Sequence, residues 1–308
     1  MNLQSKRMMS NRTRSRTIPL LWLCLPLMLY LLVFNYVPMF GIVIAFKDYT
    51  PIKGILGSEW VGLRNFEYFF KTSAGPIIFK TIAYNLGFLF LGILLGVLVA
   101  LLMFELDSKK EIAYFQTAMS LPRTISYVIV AYIVYALLSY DNGLVNHIIS
   151  AFGGKPILWY NEPKYWPLIL TVTSCWKGVG VGSILYYATL TGIDAGLYEA
   201  AALDGANRLK QTWYVSIPHL LPVISIMLIT GVGGALGGDQ ALFYQVPKDS
   251  PLLYSTTDVL STYVQRGVLE GNFAITAAVG LFQNIVGLVL LLVTNGIIKK
   301  ISPENSML

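Results

Sequence analysis

Residues 82–104 read IAYNLGFLFLGILLGVLVALLMF, from Ile82 to Phe104, without one charged side chain. A stretch of that length and composition fits the hydrocarbon core of a bilayer. There every backbone N–H and C=O must be satisfied within the segment, and a helix achieves this with about 20 largely apolar residues. Five more stretches have the same character: Pro19–Pro38, Phe115–Leu138, Trp166–Leu190, Leu220–Leu236 and Ala274–Ile298. The chain is therefore expected to be all-α, a polytopic membrane protein with six transmembrane helices.

Composition agrees. Of 308 residues 55% are hydrophobic and 12% charged, with mean hydropathy +0.62, whereas soluble domains carry about 25% charged residues. The net charge of +6 is read as basic residues holding loops against an anionic leaflet, not as a nucleic-acid surface. Cys24 and Cys175 lie in apolar runs without ligand spacing and are read as small buried hydrophobes. His147 and His219 are isolated, so no metal site is expected. Lys6, Arg7, Arg12, Arg14 and Arg16 precede an apolar run that continues to about Phe46. That run is too long for a signal peptide and is read as an uncleaved first span.

The expected organisation is a cytoplasmic segment at 1–17, a six-helix transmembrane domain at 18–298 and a cytoplasmic tail at 299–308. With six spans both termini share a side, together with Lys109, Lys110, Arg208, Lys210, Lys299 and Lys300. Lys47, Lys53, Arg64, Lys71, Lys80, Lys155, Lys164, Lys248 and Arg266 fall opposite, in longer segments. The rule that basic residues stay inside puts the termini, and the polar loop 191–217, in the cytoplasm. Three pairs, Gly92 with Gly96, Gly178 with Gly182 and Gly233 with Gly237, have the spacing that lets membrane helices approach closely.

Nothing here builds a catalytic or nucleotide site. There is no phosphate-binding loop, no Gly-x-Ser-x-Gly elbow and no His-Glu-x-x-His. The loop from Asp194 is the exception in interest. It runs Asp194-Ala-Gly-Leu-Tyr-Glu199-Ala200-Ala201-Ala-Leu-Asp204-Gly205-Ala206, and after Asn207–Tyr214 it ends Val215-Ser-Ile217-Pro218. Asp194 is an N-cap type, Leu197–Leu203 favours helix, and Gly205 suits the turn after it. By composition this is a surface helix able to dock in a partner's cleft.

Its residue order resembles the Glu-Ala-Ala loop of binding-protein-dependent ABC importer permeases. There the glycine follows the Glu-Ala-Ala triplet after three residues and an Ile-x-Leu-Pro ending follows nine later; Val215 and Ile217 depart conservatively. Tyr36–Gly41, Ala45–Tyr49 and Trp60–Phe66 resemble the branch of that family handling oligosaccharides and polysaccharide fragments. The resemblance implies a type I ABC importer permease fold and a multi-pass protein of the bacterial cytoplasmic (inner) membrane. It also implies a second permease subunit, as a heterodimer in preference to a homodimer, and an extracytoplasmic solute-binding protein. Two cytoplasmic ATPase subunits would use ATP and Mg, and this chain would bind no cofactor itself. Glu199, Ala200, Ala201, Asp204, Gly205 and Ala206 would then couple the spans to one ATPase.

For the substrate pathway, Lys177 is a cation in mid-span, which by default suggests function. Trp176 beside it could stack on a sugar ring; the alternative is a structural lysine paired with a carbonyl or an acid. Tyr186 and Tyr187 could line a cavity or pack the core. Asn85, Gln283 and Asn284 could bond sugar hydroxyls or join helices. Asp239 and Gln240 fall at the outer end of the fifth span, and Arg123 is read as snorkelling to the inner surface. An intramembrane transferase, a stand-alone carrier, and an importer permease for a non-sugar solute are the competing readings.

Overall fold

The computed structural model describes residues 22–72 and 74–301. The basic residues of the N-terminal segment, the start of the first span and most of the tail lie outside that range. The described residues form two compact units, one within Met1–Tyr68 plus Asn272–Leu281 and one within Phe69–Gly271 plus Phe282–Leu308.

In the first unit, α1 (Trp22–Phe46) is 25 residues long and apolar. It loosens to a π turn at Leu32–Tyr36 and tightens to 3-10 geometry at Phe40–Phe46. The apolar window of α1 buries none of its residues. Cys24 is accordingly exposed, not buried as its setting suggested, because no other described helix covers that face. Beyond α1, β1 (Lys47–Asp48) pairs antiparallel with β2 (Glu59–Trp60). The ribbon is closed by stacked rings of Phe46 and Trp60, with centroids 5.6 Å apart. The Asn65 amide donates to Ala45 O at 2.9 Å and Lys47 O at 3.0 Å. Helix α2 (Arg64–Thr72) begins here and carries an amphipathic aromatic face.

The second unit is built on α3 (Ala74–Phe104) and α7 (Trp166–Thr191), which pack along their lengths. Between them in sequence come α4 (Lys109–Thr124), α5 (Tyr127–Leu138) and α6 (Leu144–Ala151). After α7 follow α8 (Ala195–Leu203), α9 (Arg208–Gly233), α10 (Gln240–Gln245), α11 (Leu260–Leu269) and α12 (Phe273–Ile301). At about 1.5 Å per residue, α7 spans roughly 39 Å, enough to cross a bilayer. Exposed apolar residues such as Leu94, Leu98, Leu288 and Leu292 are what lipid requires and water would penalise.

Among the described residues five helices are long and apolar enough to cross a membrane, or six if α4 and α5, bent by 96° at their break, count as one span. The expected straight third span Phe115–Leu138 is thus two helices. Pro122 cannot donate within α4, Ile125 is extended at ψ 129°, and the Ser126 hydroxyl accepts from Ile129 N to start α5 afresh.

Close helix contact falls at one member of two of the spaced glycine pairs, Gly96 against Tyr186 and Gly233 against Leu291, and also off the spacing. Gly92, Gly178 and Gly182 face open space, while a Cβ on Gly180 would lie 1.9 Å from the Met119 carbonyl. Gly180 is therefore where α4 crosses α7 backbone to backbone. Gly180→Ala should cost about 1–3 kcal/mol through forced separation of the helices, read as a lower melting temperature in detergent. Gly178→Ala should be neutral or stabilising.

Candidate functional site

Two regions carry the residues singled out by sequence. The first is the loop joining α7 to α9. The Asp194 carboxylate accepts from Gly196 N at 3.0 Å and starts α8. At the other end Gly205 N donates to Ala202 O at 3.0 Å, and Ala206 N donates to Ala201 O at 2.9 Å. This pair of bonds is a Schellman cap. It needs a left-handed residue, and Gly205 has φ +79° with open space around it, so its backbone freedom and not its size is what the turn uses. Asn207 Oδ1 then accepts from Lys210 N at 2.9 Å and opens the helical run into α9.

The loop is tied to the membrane helices on both sides. Tyr198 and Ser216 hydroxyls lie 2.9 Å apart, and the Tyr198 ring meets Phe104 at the end of α3 with centroids 5.7 Å apart. Arg208 reaches Glu105 at 3.4 Å, an exposed pair that adds little stability. What the loop presents outward is Glu199 and, four residues on along the same face, Leu203 at 89% exposure. Ala200 is exposed, Ala201 and Ala206 are half-buried, and Asp204 caps the helix end in the open. A fully exposed leucine flanked by alanines is a short, smooth ridge that costs free energy in water and gains it in a partner's groove.

The second region is the middle of α7. Lys177 is 3% exposed. Its ammonium donates to the carbonyls of Pro122, at 3.1 Å, and Ile125, and lies 4.5 Å from the centroid of the Tyr127 ring. These carbonyls are the ones freed where α4 stops. An ammonium at a helix C-terminus also meets the negative end of its dipole. The Tyr127 hydroxyl donates to Asp239 Oδ2 at 2.6 Å, and Asp239 Oδ1 caps α10 by accepting from Leu242 N at 3.4 Å. Lys177 thus fastens a broken helix, the carbonyl-pairing alternative left open by the sequence.

Other pathway candidates divide. Trp176 is 45% exposed and lines an apolar groove of about 820 Å³ with Leu95, Tyr114, Met119 and Gly180. Tyr186 is buried against Gly96, in the core with Ala100, Leu190 and Leu220. The Asn85 amide donates to Thr81 O and to Ala235 O, each at 2.8 Å, and so joins α3 to the end of α9. Gln283 is half-buried beside Gly237 on the same turn, and Asn284 is exposed one residue on. Gln240 donates to Gln265 at 2.7 Å. Arg123 is exposed at the α4–α5 break beside Lys177, not at the α8-loop end of a span. His219 meets the Val215 carbonyl, and among the described residues no cluster of His, Cys, Asp and Glu could hold a metal ion.

Sequence reading missed the network in the loop between α10 and α11. Arg266 pairs with Asp258 at 2.7 Å and Asp249 at 3.8 Å and stacks on Tyr254. Burial alone would lower its pKa, but the Asp258 and Asp249 carboxylates outweigh it and raise it. The helix break had a visible signal, because Pro122, Arg123, Thr124 and Ser126 interrupt the apolar run. The Arg266 pairing had none, since its partners are 8 and 17 residues away in a loop without periodicity.

Long apolar helices joined by a capped, exposed short helix define a multi-pass membrane protein. Residues 92–305 match the family of the binding-protein-dependent transport system inner membrane component, and the chain belongs to that family. The polygalacturonan/rhamnogalacturonan transport system permease protein YteP of Bacillus subtilis (strain 168) is 37% identical over 287 residues, covering 91% of this chain and 87% of that protein. Among solved structures, a bacterial ABC transporter involved in the import of the acidic polysaccharide alginate has a TM-score of 0.85 at 31% identity. It covers 96% of this chain and 99% of the other. The bacterial alginate ABC transporter in complex with an alginate pentasaccharide-bound periplasmic protein has a TM-score of 0.85 at 30% identity, covering 94% and 97%. The chain is thus a multi-pass permease subunit of an ABC importer, a transport component and not an enzyme.

Lys177→Met strands the Ile125 carbonyl, at about 1–3 kcal/mol, and should lower the melting temperature of the purified protein. Trp176→Ala should leave that temperature near wild type. An unchanged melting temperature for Lys177→Met would remove the fastening role.

Proposed function

We propose that this chain forms one half of the translocation pathway of an importer for oligosaccharides or polysaccharide fragments, beside a second, non-identical permease subunit. It lies in the bacterial cytoplasmic membrane with both termini and α8 in the cytoplasm. A binding protein delivers the solute from outside, and two ATPase subunits hydrolyse ATP with Mg²⁺ beneath. In this reading Glu199, Ala200, Ala201, Asp204, Gly205 and Ala206 form the coupling element, and Trp176 with its groove belongs to the pathway.

The observation that carries the reading is the construction of the α8 loop. A free surface helix would fray, but this one is capped at both ends and fixed to Phe104 on α3 and Ser216 at the start of α9. A push on Leu203 is therefore delivered to helices that cross the membrane, not absorbed by the loop. A partner that changes shape on hydrolysing ATP could rock those helices between two arrangements as rigid bodies.

Glu199→Lys and Gly205→Leu test this in the reconstituted importer. Each should cut ATP-driven uptake by about tenfold or more, as loss of a contact worth roughly 1.4 kcal/mol or more would, with membrane insertion retained. Normal uptake in both variants would remove the coupling assignment.

A further inference from the structure

Helix α10 ends in an unusual way. Lys248 N donates to Gln245 O at 3.1 Å and Asp249 N donates to Tyr244 O at 3.0 Å, which is again a Schellman cap. In α8 that cap uses Gly205; here the left-handed position is held by Lys248 at φ +58°, and Asp249 follows at φ +45°. Two successive residues with side chains in this region are strained, and glycine would adopt it at no steric cost. Strain held by the surrounding structure is found where a side chain has a task.

The turn throws the Lys248 ammonium over the ring of Tyr135, 3.3 Å from its centroid, with Tyr132 and Tyr160 at 5.7 and 5.9 Å. Beside it opens a pocket of about 300 Å³ lined by Tyr132, Tyr244, Gln245, Lys248 and Asp249 among others. That volume is at the small end of ligand sites, which run from about 300 to 1,000 Å³. The Asp249 carboxylate is engaged by Arg266 at 3.8 Å and by the Tyr254 hydroxyl at 2.8 Å. Among the described residues no ion pair holds Lys248, so the pocket keeps an exposed positive charge. Its wall supplies one cation, an aromatic face and an amide, the set that a sugar ring bearing a carboxylate engages.

The pocket's position suits such a ligand. Both α7 and α9 run from the α8 loop to the opposite face of the membrane, and Tyr160 and Lys248 lie beyond their far ends. Under the proposed function, on which this inference rests, that is the face where solute arrives.

We infer that this pocket is a subsite for a carboxylate-bearing sugar unit, with Lys248 pairing the carboxylate and Tyr132 offering its ring to the sugar. The subsite stands apart from the Trp176 groove and meets the solute at the outer face. It selects acidic saccharide chains over neutral ones.

The test uses the whole importer in liposomes, with its binding protein at saturation, and two probes: trigalacturonate and its fully methyl-esterified, neutral form. Lys248→Gly keeps the turn and relieves its strain, so its melting temperature should equal or exceed that of wild type. Its uptake of trigalacturonate should fall about tenfold, the effect of losing one charge-assisted contact, while uptake of the ester stays unchanged. Lys248→Arg should restore most of the loss. Equal losses for both probes, or no loss, would overturn the subsite. So would a loss seen only in vesicles containing phosphatidylglycerol, which would make the pocket a lipid contact. Wild-type uptake of the ester alone would overturn the acidic preference and leave the saccharide importer standing. Uptake of neither probe would overturn the saccharide reading and the subsite with it.

Discussion

An ammonium buried in the middle of a membrane-crossing helix has no water to turn to, and the cost of leaving it unpaired is several kcal/mol. Lys177 meets this constraint with the backbone of a helix that stops short. The Ile125 carbonyl lies past the last backbone bond of α4, the Pro122 carbonyl takes only the long 3.3 Å bond from Ile125 N, and the ammonium has no counter-charge within α7. Each deficit removes the other. From that exchange follow the bend between α4 and α5, the position of Tyr127 under the cation, its bond to Asp239, and the start of α10. One electrostatic requirement therefore joins α4, α5 and α7 to the end of α9.

Around this joint the two membrane faces are built for different work. Toward the α8 loop the backbone is capped at each turn, and the exposed surface is a small-residue ridge ending in Leu203. Such a surface offers shape with little charge. Toward the opposite face the chain collects ionisable and aromatic groups: Arg266 between Asp258 and Asp249, and Lys248 over three tyrosines. Charges there remain near water and avoid the full desolvation cost of the membrane interior.

Much of the fold was legible because lipid imposes a one-dimensional rule. A helix must be apolar over its whole crossing, so hydropathy alone located the runs that became α1, α3, α7, α9 and α12. The α8 loop was legible for another reason: its caps are local, and Asp194 and Gly205 each act within a few residues of themselves. Side-chain partners across the bundle were not legible. Tyr186 and Asn85 could each be read as facing a cavity, and only the packing of α3 against α7 and α9 showed one filling the core and the other joining helices. The glycine spacing found close contacts at Gly96 and Gly233 but missed the one on α7. Spacing finds a face, but which face meets a neighbour depends on helix rotation, and rotation placed Gly180 on the crossing in place of Gly178 and Gly182.

By itself, then, the sequence determined that this is a helical membrane protein with a short capped helix between two of its spans, because those properties follow from composition and short-range bonding. It also held the residues of the outer pocket, though with nothing to connect them. Only the tertiary structure decided that Lys177 fastens a broken helix and that Lys248 stands over tyrosines drawn from α5 and the loop before α7. The reason is physical: a charge chooses its partners by distance through space, and in this chain those partners lie tens of residues away or more.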